Sequence, residues 1–151
     1  MIDVLSDGSS PASEASGTEA QGTDKRRELG RLGEELAMAH FHRLGFSPLG
    51  RNERTRHGEI DLIAFDGHTL VFAEIKTRRV SVQAQGVRPD QQPLARLGPR
   101  QRERLRRLAA AWLHDKRHIR PNAHTIRFDA IGVILDTKDR LISLDHIEGA
   151  W

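Results

Sequence analysis

Two apolar segments joined by Asp66-Gly67 constrain the fold of this 151-residue chain more than any other feature. They span residues 59–65 and 68–78, and Asp-Gly between apolar runs is the strongest short-range signal for a β-hairpin. A two-residue loop places Phe65 opposite His68, with further pairs 63/70, 61/72 and 59/74. Both faces of these strands are apolar, which predicts a central position in a sheet that helices cover on both sides.

The remaining segments predict one helix before this hairpin, and a helix and two strands after it. Apolar residues recur at helical spacing over residues 25–44 and again from Pro99 to about Lys116. Residues 46–52 predict a short first strand that is irregular or at an edge. Two more strands are expected at residues 125–135 and 140–144. The chain therefore predicts an α/β fold, a mixed sheet with a central antiparallel hairpin flanked by helices.

The two ends of the chain differ in composition. Residues 1–24 contain five acids and no Lys or Arg among Ser, Gly, Ala and Thr, which predicts a disordered acidic tail before a single domain at residues 25–151. The chain has no cysteine, which excludes disulfides, a cysteine nucleophile and cysteine-ligated metals. No apolar run approaches the roughly 20 residues of a membrane span, and no secretory signal pattern is present. We expect a cytoplasmic protein without membrane contacts.

Positive charge is concentrated in one stretch of the chain. The formal net charge is only +3, but residues 78–107 contain nine arginines against Asp90 and Glu103. Such a patch attracts polyanions through counterion release. Arg100, Arg104 and Arg107 are expected on the face of the second helix opposite its apolar stripe. An anionic partner is the favoured interpretation, and a solvated arginine-rich surface is the alternative.

Small residues in the first helix predict close packing. Gly30, Gly33 and Ala37 share one side of the helix, and each glycine costs about 1 kcal/mol of helix stability relative to alanine. Close approach of the helix to the sheet compensates for this cost. Glu34 borders the small residues and is expected near the sheet, whereas Glu35 points toward water.

Three ionisable residues interrupt the apolar hairpin and are the candidates for chemistry. Asp61, Glu74 and Lys76 project to one face, with Glu74 the diagonal neighbour of Asp61. Partly desolvated carboxylates repel each other unless a cation or proton intervenes, and Mg²⁺ prefers such oxygen ligands. The alternative is a buried salt-bridge network of these residues without a metal, and composition alone leaves both open. Glu59 faces the same way and could replace either acid.

Several segments together resemble the bacterial YraN-like family. The match includes residues 30–37 (GRLGEELA), 58–64 (GEIDLIA) and 71–78 (VFAEIKTR), with shorter matches at residues 44–46, 52–54, 127–129 and 145–147. That family is similar to archaeal Holliday-junction resolvases, which implies a restriction-endonuclease-like fold of the PD-(D/E)XK type. Resolvase relatives act as dimers, so a homodimer is implied as well.

The resemblance also implies roles for individual residues. Asp61 matches the metal-binding aspartate, Glu74 the second acid and Lys76 the catalytic lysine, while Glu34 matches a first-helix acid that binds the metal or its water. The main-chain carbonyl of Ile75 is a further implied ligand, and the implied metal is Mg²⁺ or Mn²⁺. The chain departs from the pattern in having Ile60 before Asp61 instead of proline, Arg100 where relatives have lysine, and a long segment at residues 79–98.

These observations favour a metal-dependent nuclease acting on structured or double-stranded DNA. The residues expected to contact nucleic-acid phosphates are Arg78, Arg79, Arg100, Arg104 and Arg107. Two other functions are compatible with the sequence: a nucleic-acid-binding module on the same fold without turnover, and a protein-interaction domain that docks an acidic partner. His40, His42, His114 and His118 lack a fixed third ligand and are expected to be solvated or core residues. Arg127 and Asp129 are expected to pair with each other.

Overall fold

The computed structural model describes residues 15–82 and 86–151, which form a five-stranded mixed sheet with one helix on each face. The strands are β1 (Ser47–Thr55), β2 (Gly58–Phe65), β3 (Thr69–Arg79), β4 (Thr125–Leu135) and β5 (Leu141–Ile147). Their spatial order is β1-β2-β3-β4-β5, with β3 and β4 parallel and the other pairs antiparallel. The predicted α/β class and the central position of the hairpin are therefore confirmed.

The helices are α1 (Ala15–Arg43) and α2 (Pro99–His114). Helix α1 begins ten residues before its predicted start, so residues 15–24, expected in the disordered tail, are helical instead. No proline interrupts residues 15–24, so the helix extends through them despite two glycines. The rest of the predicted tail, residues 1–14, lies outside the described residues. No helix in the described part of the chain is long and apolar enough to cross a membrane.

Two hydrophobic cores lie on opposite faces of the sheet. On the α1 face, Ala37 and Phe41 pack on Val71, Ala73 and other residues of the central strands. On the α2 face, the buried residues are Ile60, Ile63, Leu70, Phe72, Leu105, Leu108, Ala109 and Trp112. Strand β3 contributes alternate residues to both cores, so it is covered on both sides, as its apolar pattern predicts.

The register of the hairpin differs by two residues from the predicted one. Phe65 pairs with Leu70 rather than with His68. The cause is the side chain of Asp66, whose Oδ1 accepts hydrogen bonds from the main-chain N–H groups of His68 and Thr69 at 2.8 and 2.6 Å. These bonds build a four-residue turn in place of a two-residue loop. Because the shift is an even number of residues, β3 keeps its predicted faces.

The long segment after β3 is anchored to the α2 face of the sheet. It contains two short 3₁₀ helices, Pro89–Gln91 and Pro93–Arg96. Leu94 sits directly over Gly132, where a Cβ atom would come within 2.9 Å of its Cγ. Arg78 Nη1 donates to the carbonyl of Asp90 at 2.7 Å. Gly132 is level with Lys76 in the β3–β4 ladder, so this segment lies beside Lys76.

Gly33 and Gly30 provide a matched test of how closely α1 approaches the sheet. A Cβ atom on Gly33 would lie 1.7 Å from Thr77 Oγ1, whereas one on Gly30 would meet nothing within 4 Å. The expected close packing therefore applies to Gly33 and not to Gly30. We expect Gly33→Ala to lower the free energy of unfolding by about 1–3 kcal/mol through overpacking. Gly30→Ala should raise it by about 1 kcal/mol. Urea unfolding of both variants measures this, and equal effects would contradict the observed approach.

Candidate active site

Asp61 lies where β2 separates from β3. The β2–β3 ladder ends at the pair Leu62–Ala73, although β2 continues to pair with β1 as far as Gly58. At the separation, Asp61 Oδ2 accepts the main-chain N–H of Ile75 at 2.7 Å. The Asp61 carboxylate thus accepts the hydrogen bond from β3 that a main-chain carbonyl of β2 would accept in a continuous ladder.

The backbone of β2 is irregular at the same point. Ile60 packs in the α2-face core together with Ile63, three positions away, so strict alternation is broken at Asp61. Strict period-two alternation would instead put Ile60 on the α1 face, with Leu62. One position beyond the last β2–β3 pair, Asp61 and Glu74 are level across the two strands. The two acids are therefore direct neighbours and not the diagonal ones that the predicted register gave.

Glu74 is buried and paired with two cations on the α2 face. Its side chain is 6% exposed, with Lys76 Nζ 2.5 Å from Oε1 and Arg104 Nη1 3.8 Å from Oε2. Lys76 follows on the same side of β3 and is 45% exposed, and Arg104 reaches in from α2. Glu74 therefore forms the ion pairs that the salt-bridge interpretation expects, with Arg104 as an additional partner.

The electrostatics of Asp61 differ from those of Glu74. Burial, followed by the charge of Glu74, raises the pKa of Asp61 to about 6. The Ile75 N–H and the charge of Lys76 lower this pKa in part, and Glu34 raises it slightly. No cation lies within ion-pair distance of Asp61 in the described part of the chain. Of the two acids, Asp61 is consequently the one whose ionised form is less compensated.

Glu34 approaches this pair from the α1 side, as the sequence predicted. Asn52 Nδ2 donates to Glu34 Oε2 at 2.8 Å, and Arg51 Nη2 lies 3.9 Å from the same oxygen. Asn52 has a φ of 49°, a left-handed conformation that asparagine tolerates better than most residues. Its β1 neighbours pair with Leu62 and Ile60, which puts Asn52 level with Asp61. The sequence pattern does not identify Asn52 as a partner of Glu34, although Asn52 lies in the matching segment 52–54.

The donor set has the chemistry of a hard-cation site. Asp61, Glu74 and Glu34 offer carboxylate oxygens, and the predicted carbonyl donor, Ile75, belongs to the residue whose N–H binds Asp61. Oxygen donors of this kind are those that Mg²⁺ and Mn²⁺ prefer. In residues 15–82 and 86–151, however, no three His, Asp or Glu side chains are arranged closely enough to hold a metal. Glu59, the alternative acid, lies 3.7 Å from Arg54.

The five arginines expected to contact nucleic acid occupy different environments. Arg78 bonds the Asp90 carbonyl, while Arg79 lies toward the opposite face and pairs with Asp139. Arg104 is on the flank of α2 and not opposite its apolar stripe, because it reaches Glu74. Arg107 pairs with Glu103 at 3.3 Å, and Arg100 is exposed without an ion pair in the described residues. The structure thus brings Arg104 to the acids and leaves Arg79 apart from them.

A second buried polar cluster lies on the α1 face. Arg127 donates twice to Asp129 at 2.8 Å, which confirms the expected pair. His146 Nε2 is 2.8 Å from Asp129 Oδ2, and its Nδ1 is 2.9 Å from His40 Nε2. Burial alone would raise the pKa of Asp129, but hydrogen bonds from His146 and Arg127 hold it below its usual value. This cluster is fully hydrogen-bonded and connects α1 to strands β4 and β5.

The raised pKa of Asp61 predicts a pH-dependent stability difference between the wild type and Asp61→Asn. The folded protein holds this proton with a pKa of about 6, against about 3.9 in an unfolded chain. Below pH 4, Asp61 is protonated in both states and has no effect on the free energy of unfolding. Between pH 4 and 6 the unfolded chain loses this proton more readily than the folded protein, so the free energy of unfolding falls as the pH rises. We expect the free energy of unfolding of Asp61→Asn to exceed that of the wild type by up to about 3 kcal/mol above pH 6 and to equal it at pH 4. Denaturant unfolding in chelator measures this, and a pH-independent difference would refute it.

Comparison with known proteins gives one consistent result. Residues 33–133 match the model of the uncharacterised protein family UPF0102. A UPF0102 protein of Acidothermus cellulolyticus is 41% identical over 138 residues, covering 86% of this chain and 98% of that relative. Relatives in Streptomyces griseus and Geobacter sulfurreducens are 40% and 37% identical, covering 82% and 87% of this chain and 96% and 94% of theirs. This chain belongs to the UPF0102 family, also called the YraN family.

Proposed function

We propose that this protein is a metal-dependent nuclease that hydrolyses phosphodiester bonds in double-stranded or structured DNA. The observation that carries the proposal is the neighbouring pair Asp61 and Glu74, beside the ammonium of Lys76, where β2 separates from β3. The burial and mutual repulsion of the acids favour a cation between them. The mixed sheet with a helix on each face is compatible with the restriction-endonuclease-like fold that the family resemblance implies.

The residues of the site divide into cation-binding and anion-binding groups. Asp61, Glu74 and the carbonyl of Ile75 would hold Mg²⁺ or Mn²⁺, with Glu34 binding the metal or its water. When bound, such a metal polarises a phosphate and makes water a better nucleophile. The Lys76 ammonium balances negative charge that develops on the phosphate oxygens. Asn52 holds Glu34 in place by its 2.8 Å hydrogen bond.

Basic residues of α2 supply the surface for the DNA backbone. Arg100, Arg104 and Arg107 lie along the helix that carries the guanidinium paired with Glu74. Guanidinium groups bind phosphate oxygens through charge-assisted hydrogen bonds that carry no base information. We therefore assign α2 to sequence-independent contacts with phosphates next to the reacting bond.

The ion pairs of Glu74 favour a second candidate, a nucleic-acid-binding module without turnover. Lys76 and Arg104 already neutralise Glu74, and no three-acid cluster is present in the described residues. In this alternative, the acids maintain the position of the two cations, and the cations bind phosphate. The two functions differ in their dependence on metal.

Charge-neutral substitutions of the two acids test the nuclease directly. Asp61→Asn and Glu74→Gln should each reduce Mg²⁺-dependent cleavage about a hundredfold or more, because each removes a charged ligand worth several kcal/mol to the transition state. Glu34→Gln should also reduce cleavage. Its matched control is Glu35→Gln, since Glu35 is the next residue of α1 and pairs only with exposed Arg31. The assay measures initial rates on duplex, branched and single-stranded DNA.

Thermal melts with and without Mg²⁺ separate the two candidates. The nuclease predicts that metal stabilises the wild type and has little effect on either variant. The salt-bridge alternative predicts no stabilisation by metal, and a loss of about 1 kcal/mol when Glu74→Gln leaves the half-exposed Lys76 without its partner. Absence of cleavage together with this second pattern would refute the nuclease.

Charge reversal on α2 tests the DNA contacts. Replacing Arg100, Arg104 and Arg107 by glutamate should weaken binding to all sequences alike. It should also reduce the slope of log affinity against log salt by about 2–3, because three phosphate contacts are lost. The control replaces three exposed arginines of α1, namely Arg26, Arg27 and Arg31, by glutamate. Filter binding in chelator measures both variants, and an equal loss in the control would exclude a specific role for α2.

A further inference from the structure

A basic cavity lies at the carboxyl end of α2, apart from the acids of the candidate site. Its volume is about 310 Å³, and its walls come from the β1–β2 turn and from residues 111–118. The charged and aromatic residues that matter for its chemistry are Arg54, Arg56, Trp112, Asp115, Arg117 and His118. Three arginines against one aspartate give the walls a net positive charge.

The arginines are compensated to different degrees. Arg117 forms a close ion pair with Asp115, at 2.6 Å, and Arg54 lies 3.7 Å from Glu59. Arg56 has no acidic partner in the described part of the chain, and its Nε donates to His57 Nε2 at 3.0 Å. Arg56 therefore provides the least compensated positive charge of the cavity wall.

Trp112 is the aromatic residue of the cavity wall. Its Nε1 is the one buried side-chain nitrogen or oxygen without a hydrogen-bond partner among the described residues. Trp112 is 3% exposed, and its ring stacks on that of His118 with centroids 4.8 Å apart. Nε1 has almost no accessible surface, so a ligand in the cavity acts on it through the Trp112 ring and the His118 ring stacked on it.

The position of the cavity relates it to the candidate site. Arg104 and Leu108 pack over Gly58, and the cavity walls continue the same turn through residues 54–56 and the same helix through residue 112. Eight residues of helix separate Arg104 from Trp112, a rise of about 12 Å. At 3.4 Å of axial rise per nucleotide, this corresponds to about three or four nucleotides of a duplex.

We propose that this cavity binds a phosphate group of a nucleic-acid strand, about three or four nucleotides from the position held at Glu74 and Lys76. Planar guanidinium groups match the oxygens of a phosphate in geometry and charge, and the cavity volume accommodates a phosphate with its attached sugar. The assignment to a strand rests on the proposed function, whereas the affinity of the cavity for phosphate does not.

The indole N–H of Trp112 is the reporter for a direct test. The chain has two tryptophans, so Trp151→Phe assigns the Trp112 resonance in ¹⁵N spectra of the full chain. Inorganic phosphate, titrated in chelator, should shift this resonance. Arg56→Gln and Arg117→Gln should each weaken phosphate binding about tenfold, while Lys116→Gln, an adjacent exposed cation outside the cavity, should change it less than twofold. An unmoved Trp112 resonance, or an equal loss in Lys116→Gln, would overturn the proposal.

The source of the phosphate is tested by competition. A 12-base-pair duplex should displace inorganic phosphate at lower concentration than adenosine monophosphate does, and Arg56→Gln should reduce that advantage. Equal potency of the mononucleotide would overturn the assignment to a strand. Glu35→Gln should bind phosphate like the wild type, since Glu35 lies on α1 outside the cavity. A phosphate-dependent shift of Trp112 in a protein that does not cleave DNA would refute the nuclease and leave the cavity assignment intact.

Discussion

The hydrogen bond from the Ile75 N–H to Asp61 Oδ2 is the contact on which the arrangement of the site depends. Strand β3 is paired with β4 along its whole length, from Thr69 to Arg79, so its other edge can lose β2 without breaking the sheet. The carboxylate satisfies the N–H that the departing strand leaves behind, which a buried main-chain donor requires. The separation of β2 then creates the space in which Asp61 and Glu74 meet. A side chain thus performs a main-chain role and brings its charge to that point.

A fully buried and a partly buried aspartate show how differently the fold treats its acids. Asp129 is fully buried, but Arg127, His146 and the Gly149 N–H all bond it, and its pKa is held below the usual value. Asp61 receives one main-chain hydrogen bond and faces Glu74, and its pKa is raised to about 6. The cluster around Asp129 therefore stabilises the fold, whereas the ionised form of Asp61 is unfavourable at neutral pH. Perturbed acids of this kind are typical of functional sites.

Sequence patterns predicted the central position of the hairpin, the faces of β3 and the grouping of Asp61, Glu74 and Lys76, because period-two apolarity leaves little freedom in a buried strand. They missed the register because the Asp66 side chain, and not the Asp-Gly dipeptide alone, determines the turn length. They also missed the Asn52–Glu34 hydrogen bond and the Arg104–Glu74 ion pair. Both contacts join residues that are distant in sequence, and their geometry depends on where the helices lie. Local periodicity specifies which face a residue occupies and not which side chain meets it there.

Exposure varies steeply within the cluster, and this gradient determines how a ligand reaches it. Glu74 is 6% exposed, while Lys76 and Arg104 are 45% and 49% exposed above it. On one side Leu94 covers Gly132 next to Lys76, and on the other Arg104 crosses Gly58. An anion that approaches Glu74 therefore meets the two cations first. An anion that engages them weakens their pairing with Glu74 and leaves the repulsion between Glu74 and Asp61 less compensated. In this geometry, anion binding at Lys76 and Arg104 consequently favours the binding of a cation between Glu74 and Asp61.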